Sequence, residues 1–197
     1  MRRTATFAIA GAKGGVGKTT TSLNFASVLA AAGRTVVVEF DLAMANAVDF
    51  LAVDCTPDLD PTLHDVLANT STVTRATYRA PGGFDIVPSG TTLEGYAASD
   101  PGRIVPVVKA LTSSYDYVLI DVGAGLSRET LLPLAIADET VLVSTPRVAS
   151  VRDAKKTIEL SERVGGGVAG VVFVKSGRGS APGPERIASF LEVPLLG

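Results

Sequence analysis

The stretch Thr4-Ala-Thr-Phe-Ala-Ile-Ala-Gly-Ala-Lys-Gly-Gly-Val-Gly-Lys-Thr-Thr20 passes from a short apolar run, through a glycine-rich turn, into a helical pattern. Strand, tight turn and helix in that order form a phosphate-binding loop. Glycines 14, 15 and 17 let the backbone turn sharply, so the N–H groups of Gly14, Gly15, Val16 and Gly17 converge on phosphate oxygens. The helix N-terminus adds its partial positive charge at the same place. Lys18 is expected to reach the β- and γ-phosphates of a nucleotide, Thr19 to offer its hydroxyl to Mg²⁺, and Thr20 to add a phosphate contact. The pattern Gly-x-x-x-x-Gly-Lys-Thr is not met strictly, because Ala12 occupies the first glycine position, and an extra lysine, Lys13, stands before Gly14.

Outward from this loop, β-branched apolar runs alternate with longer helical patterns. The runs 4–10, 35–40, 84–88, 117–121, 140–145 and 170–175 read as strands. Segment 18–32, apolar on most of its surface and closed by Gly33, reads as a buried helix. A second helix is expected from Ser150, where Ser-Val-Arg-Asp fits a capping box, to the glycines at 165–167. The fold class is therefore α/β: a mainly parallel twisted sheet with helices on both faces, residues 1–197 making one domain. Residues 54–100 read as a surface crossover with a short helical pattern at 62–68, and 193–197 as the onset of another buried strand.

Composition narrows the function. A net charge of -2 without a dense basic stripe argues against nucleic acid as a partner. The single cysteine, Cys55, can form neither an internal disulfide nor a cluster site, and the chain is expected in the cytoplasm. Arg2 and Arg3 precede too short an apolar run for an export signal, and no stretch is long and apolar enough for a transmembrane helix. His64 is the only histidine and reads as a helix-face residue; Asp54, Asp58 and Asp60 read as a solvated acidic loop.

The loop Lys13-Gly-Gly-Val-Gly-Lys-Thr19 resembles that of the MinD/ParA class of deviant Walker ATPases, closest to MinD, and the resemblance covers nearly the whole chain. It implies ATP and Mg²⁺ as cofactors and an ATP-dependent homodimer, in which Lys13 crosses to the nucleotide of the second subunit. It also implies slow hydrolysis, with Lys13, Lys18 and Asp41 as the catalytic set and Thr19, Asp41 and Asp121 as the metal set. Asp121, after Tyr-Val-Leu-Ile, looks like a Walker B aspartate holding Mg²⁺ through water; Asp41 matches the residue that positions the attacking water, and Asn46 an asparagine later in the same loop. Leu63-His-Asp-Val-Leu67, Pro88-Ser-Gly90, Ala98-Ser-Asp-Pro101 and Pro146-Arg-Val-Ala-Ser-Val-Arg-Asp153 extend the likeness.

Three positions depart from the pattern. Glu39 stands where a first aspartate is usual, Gly123 replaces the proline of the second switch, and Lys175 replaces an asparagine that reads the adenine edge. The family's last strand, closing helices and membrane-binding tail are expected to be lacking, leaving membrane contact only through a partner or such a tail. The implied role is a switch that positions or regulates the assembly of cell components such as the division machinery, with an unidentified protein partner or activator. A nucleotide-sensing module with little hydrolysis, and a ParA-type DNA partition ATPase, are the alternatives.

Overall fold

The computed structural model describes residues 4–11, 13–51, 60–125, 127–175 and 182–197. Cys55, Asp54 and Asp58 lie outside them, as do Arg2, Arg3 and Ala12. The chain runs β1 (Ala5–Ala10), α1 (Lys18–Ala30), β2 (Thr35–Phe40), α2 (Ala47–Leu51), α3 (Leu63–Leu67), β3 (Tyr78–Arg79), β4 (Asp85–Val87), α4 (Leu93–Ala98) and a 3₁₀ turn at Pro101–Arg103. It continues through α5 (Ile104–Thr112), β5 (Tyr117–Val122), α6 (Arg128–Ile136), β6 (Glu139–Ser144), α7 (Val148–Arg163), β7 (Gly167–Phe173) and α8 (Pro184–Leu191).

Seven strands form one sheet in the order β3-β4-β2-β5-β1-β6-β7. Every pairing is parallel except β3 with β4. Successive side chains of a strand point to opposite faces, and β2 shows the consequence: Val36, Val38 and Phe40 join the apolar cluster with α3, α5 and α6, whereas Val37 joins the cluster under α1. Burial on both faces explains why the central strands read as apolar runs. β1, β2 and β5 are adjacent, so the loops that follow them leave one edge of the sheet side by side, where open α/β sheets place their chemistry.

Several expectations change in detail. α1 buries one stripe, Ser22, Leu23 and Ala26, while Val28 is 70% exposed, so it is a half-covered helix rather than a buried one. Its last carbonyls are taken up as foreseen, with the Gly33 N–H donating to the Leu29 carbonyl at 3.0 Å. α7 begins at Val148, two residues before the expected cap; Ser150 is buried inside it and its Oγ accepts from Thr145 Oγ1 at 2.8 Å. The crossover contributes β4 to the sheet, with β3 folded back on it. At the other edge, Leu195 bridges Val171 in parallel, and the Phe173 N–H donates to the Gly197 carbonyl at 2.7 Å. Residues 194–197 thus run strand-like beside β7, exposed rather than buried as the sequence pattern suggested.

Candidate nucleotide-binding site

Between β1 and α1 the loop turns through Gly15 at φ 70° and Gly17 at φ 99°, conformations that favour glycine. Gly17 caps α1, and the Thr21 N–H donates to its carbonyl at 2.9 Å. Lys18, first in the helix, is 7% exposed. Burial pulls its pKa down, against the opposing pull of the Asp121 and Asp41 carboxylates. A buried ammonium facing two acids, on a ring of backbone turned by glycine, suits a polyphosphate.

Asp121, near the end of β5, is 1% exposed. Its Oδ1 accepts from Ser22 Oγ at 2.8 Å, and the Thr19 hydroxyl also helps to hold the carboxylate in its charged form. Burial raises its pKa; the Thr19 and Ser22 hydroxyls and Lys18 pull it down, and Asp41 pushes it further up. Asp41, just beyond β2, is likewise raised by burial and lowered by Lys18, and its Oδ1 accepts from the Met44 N–H at 3.2 Å. A Cβ on Gly123 would stand 3.3 Å from Asp41 Cγ, so the second loop closes directly against the first. The four residues Lys18, Thr19, Asp41 and Asp121 are thus brought together at one edge of the sheet. Ser22 was not foreseen, although it lies three residues after Thr19 and so on the same helical face.

The donor set fits Mg²⁺. The Thr19 hydroxyl and the Asp41 and Asp121 carboxylates are hard oxygen ligands, the kind that holds this ion together with phosphate.

Glu39, one residue from the end of β2, is also 1% exposed, but backbone donors surround it. Oε1 accepts from the Asn46 and Ala47 N–H groups, both at 2.7 Å, and Oε2 from the Ser89 N–H at 3.0 Å. Burial raises its pKa and these three bonds lower it. Glu39 therefore ties the loop 41–47 to the turn 88–90. Asn46 takes part through its backbone.

Lys13 points outward. Its Nζ is 3.5 Å from Asp153 Oδ2 on α7 and its side chain is 46% exposed. Thr20 is exposed and lines a groove of about 680 Å³ beside α1, with Val174 and Lys175 opposite. Lys175 adopts φ 56° and its Nζ donates to the Gly15 carbonyl at 3.0 Å, so the lysine at the base-reading position holds the phosphate loop. Asp153, the other unforeseen member, was visible only as part of the motif 146–153.

Comparison with known proteins agrees with this geometry. A family profile described as an AAA domain matches residues 4–165. Two uncharacterized ATP-binding proteins of Methanocaldococcus jannaschii are similar: one is 36% identical over 192 residues, 96% of this chain and 72% of its own length, the other 40% identical over 171 residues, 86% and 64%. The chain thus spans less than two thirds of the second. The cell division ATPase MinD of Pyrococcus furiosus superposes with a TM-score of 0.91 at 32% identity, over 98% of this chain and 81% of that one. The septum site-determining protein MinD of Pyrococcus horikoshii, solved with Mg-ADP, does so equally well over 98% and 79%. With its glycine loop, its paired carboxylates at adjacent strand ends and these relatives, the chain belongs to the MinD/ParA family of P-loop ATPases.

Proposed function

We propose that the chain is an ATP-gated switch that binds ATP with Mg²⁺, closes face to face with a second copy, hydrolyses the nucleotide slowly in the cytoplasm, and thereby positions or regulates the assembly of other cell components. The observation that carries this reading is the divergence of the two loop lysines: Lys18 is buried at its own cradle, whereas Lys13 extends from the rim toward solvent and Asp153. A lysine directed away from its own cradle supports a role at a neighbour's site.

In the closed state the backbone of residues 14–17 holds the phosphates and Lys18 neutralises charge on the transferring group. Thr19 and Asp121 would hold the metal, and Asp41 beside Gly123 would orient the attacking water. Bound Mg²⁺ would neutralise charge on the β- and γ-phosphate oxygens. Lys13 leaves Asp153 to reach the partner's nucleotide.

A second reading, a nucleotide-sensing module with little turnover, draws on one observation. Glu39 is saturated by three backbone donors and so has little freedom to take part in chemistry.

Light scattering after size exclusion tests the switch. Mg²⁺-ATP is expected to give dimers and Mg²⁺-ADP monomers; monomers with both nucleotides would reject the switch. Lys13→Ala is expected to bind nucleotide as a monomer yet form no dimer, and parent-like dimerisation by that variant would reject the trans role. Dimers without turnover would favour the sensing module.

A further inference from the structure

The loop 41–47 rests on the only histidine in the chain. His64, on a face of α3, is 3% exposed, and its Nε2 is 3.0 Å from the Leu42 carbonyl oxygen. A carbonyl only accepts, so Nε2 carries the proton and donates. Nδ1 is buried without a partner. The ring is enclosed on two sides: a Cβ on Gly90 would stand 2.5 Å from Nδ1, and one on Gly95 2.9 Å.

Both neighbours lead to the site. Gly90 follows Ser89, whose N–H donates to Glu39, and Pro88, whose carbonyl accepts from the Leu63 N–H at 2.8 Å. Gly95 precedes Tyr96, whose ring lies 6.4 Å from the imidazole and whose hydroxyl donates to Glu129 Oε1 at 3.2 Å. Glu129 is in the first turn of α6, immediately beyond the second loop.

An apolar side chain would spare the unpaired Nδ1 but would leave the Leu42 carbonyl without its donor, so what the histidine supplies beyond bulk is one hydrogen bond to the loop after Asp41. Leu42 directly follows Asp41. The Asp41 carboxylate takes one bond from within its own loop, and Glu39 secures only the far end, at Asn46 and Ala47. Among the described residues, His64 supplies the one side-chain donor to a carbonyl between them.

We propose that His64 is a positioning residue for Asp41: by holding the Leu42 carbonyl it fixes the peptide that follows Asp41, and so the carboxylate that orients water. The kinetic consequence rests on the proposed hydrolysis; the structural one does not.

Two substitutions separate the bond from the bulk. His64→Gln keeps an N–H donor near the position of Nε2, and His64→Met fills the space without one. Hydrogen–deuterium exchange of residues 41–47 in nucleotide-free protein is the first readout, and kcat and KM for Mg²⁺-ATP are the second. His64→Met is expected to exchange about tenfold faster in 41–47 alone, and to lose about tenfold in kcat with KM within about twofold. His64→Gln is expected to track the parent in both. Unchanged exchange in His64→Met, equal acceleration in both variants, or acceleration spread over α3 and α4 would each overturn the proposal. A parent that dimerises but does not hydrolyse would refute the enzymatic reading while the exchange comparison still decides the role of His64.

Discussion

Glu39 and Asp121 are register partners on β2 and β5, equally buried, and burial is the largest cause of the raised pKa of each. Beyond one methylene, they differ in what surrounds them. Glu39 faces three backbone N–H groups, which can do nothing but donate and cannot leave. Asp121 faces two hydroxyls and an ammonium, all on side chains that a metal-bound phosphate can recruit. Place in the sheet therefore does not decide which carboxylate does chemistry. Fixed donors turn one into a staple; exchangeable donors leave the other available.

The largest effect that would sharpen this contrast is expected from Asp121→Asn. Affinity for Mg²⁺-ATP should fall on the order of 100-fold, measured by fluorescent-nucleotide titration with and without chelator. Stability of the nucleotide-free protein should move the other way. A carboxyl whose folded pKa is raised carries a penalty that is absent below its unfolded pKa and fully present above its folded one. Removing the charge at pH 7 removes that penalty, and the Thr19 and Ser22 hydroxyls can reverse roles toward an amide. The urea midpoint at pH 7 is expected at or above the parent's.

Glu39→Gln sheds a burial penalty of the same sign, but its donors make the net stability effect the opposite. Whichever way the amide turns, its NH₂ meets a backbone donor, at a cost of about 2 kcal/mol in urea unfolding. Unchanged stability would break the comparison. Glu39→Asp, a methylene shorter, cannot span Ser89 and the start of α2 together and is expected to lose about 1 kcal/mol.

The smallest effect lies at a third carboxylate, Asp85 on β4, which accepts from the Tyr115 hydroxyl at 2.8 Å and pairs with Arg79 at 3.0 Å. Burial first, and the bond to Asp85 second, raise the Tyr115 pKa from 10.0 to about 12. The stabilisation that accompanies this shift is complete below pH 10 and is lost as pH rises through about 12. Tyr115→Phe should flatten that alkaline decline in urea midpoint.

Much of this was legible before the fold was seen. The loop of residues 13–20 declared itself because its function depends on local backbone geometry, and the strands because burial on both faces leaves apolar runs. What escaped depends on contacts across the sheet. Ser150 reads as a cap in sequence, but its hydroxyl is taken by Thr145 and α7 starts earlier. Glu39 reads as a departure from a usual first aspartate, and its role as a tether stays hidden because its three donors come from residues 46, 47 and 89. Lys175 reads as a base-reading position, yet its nearest acceptor lies 160 residues away in the chain. The importance of His64 needed Leu42, Gly90 and Gly95 folded around it.

The strand order has a consequence for how the chain is made. β1 is flanked by β5 and β6, and β5 begins at Tyr117. On a ribosome adding about 5–20 residues per second, the strand that leads into the phosphate loop waits roughly 5–20 s for its first neighbour. Through that interval an apolar segment with open hydrogen-bonding edges is available to other chains, so yield during synthesis should depend on chaperone supply well before it depends on ATP.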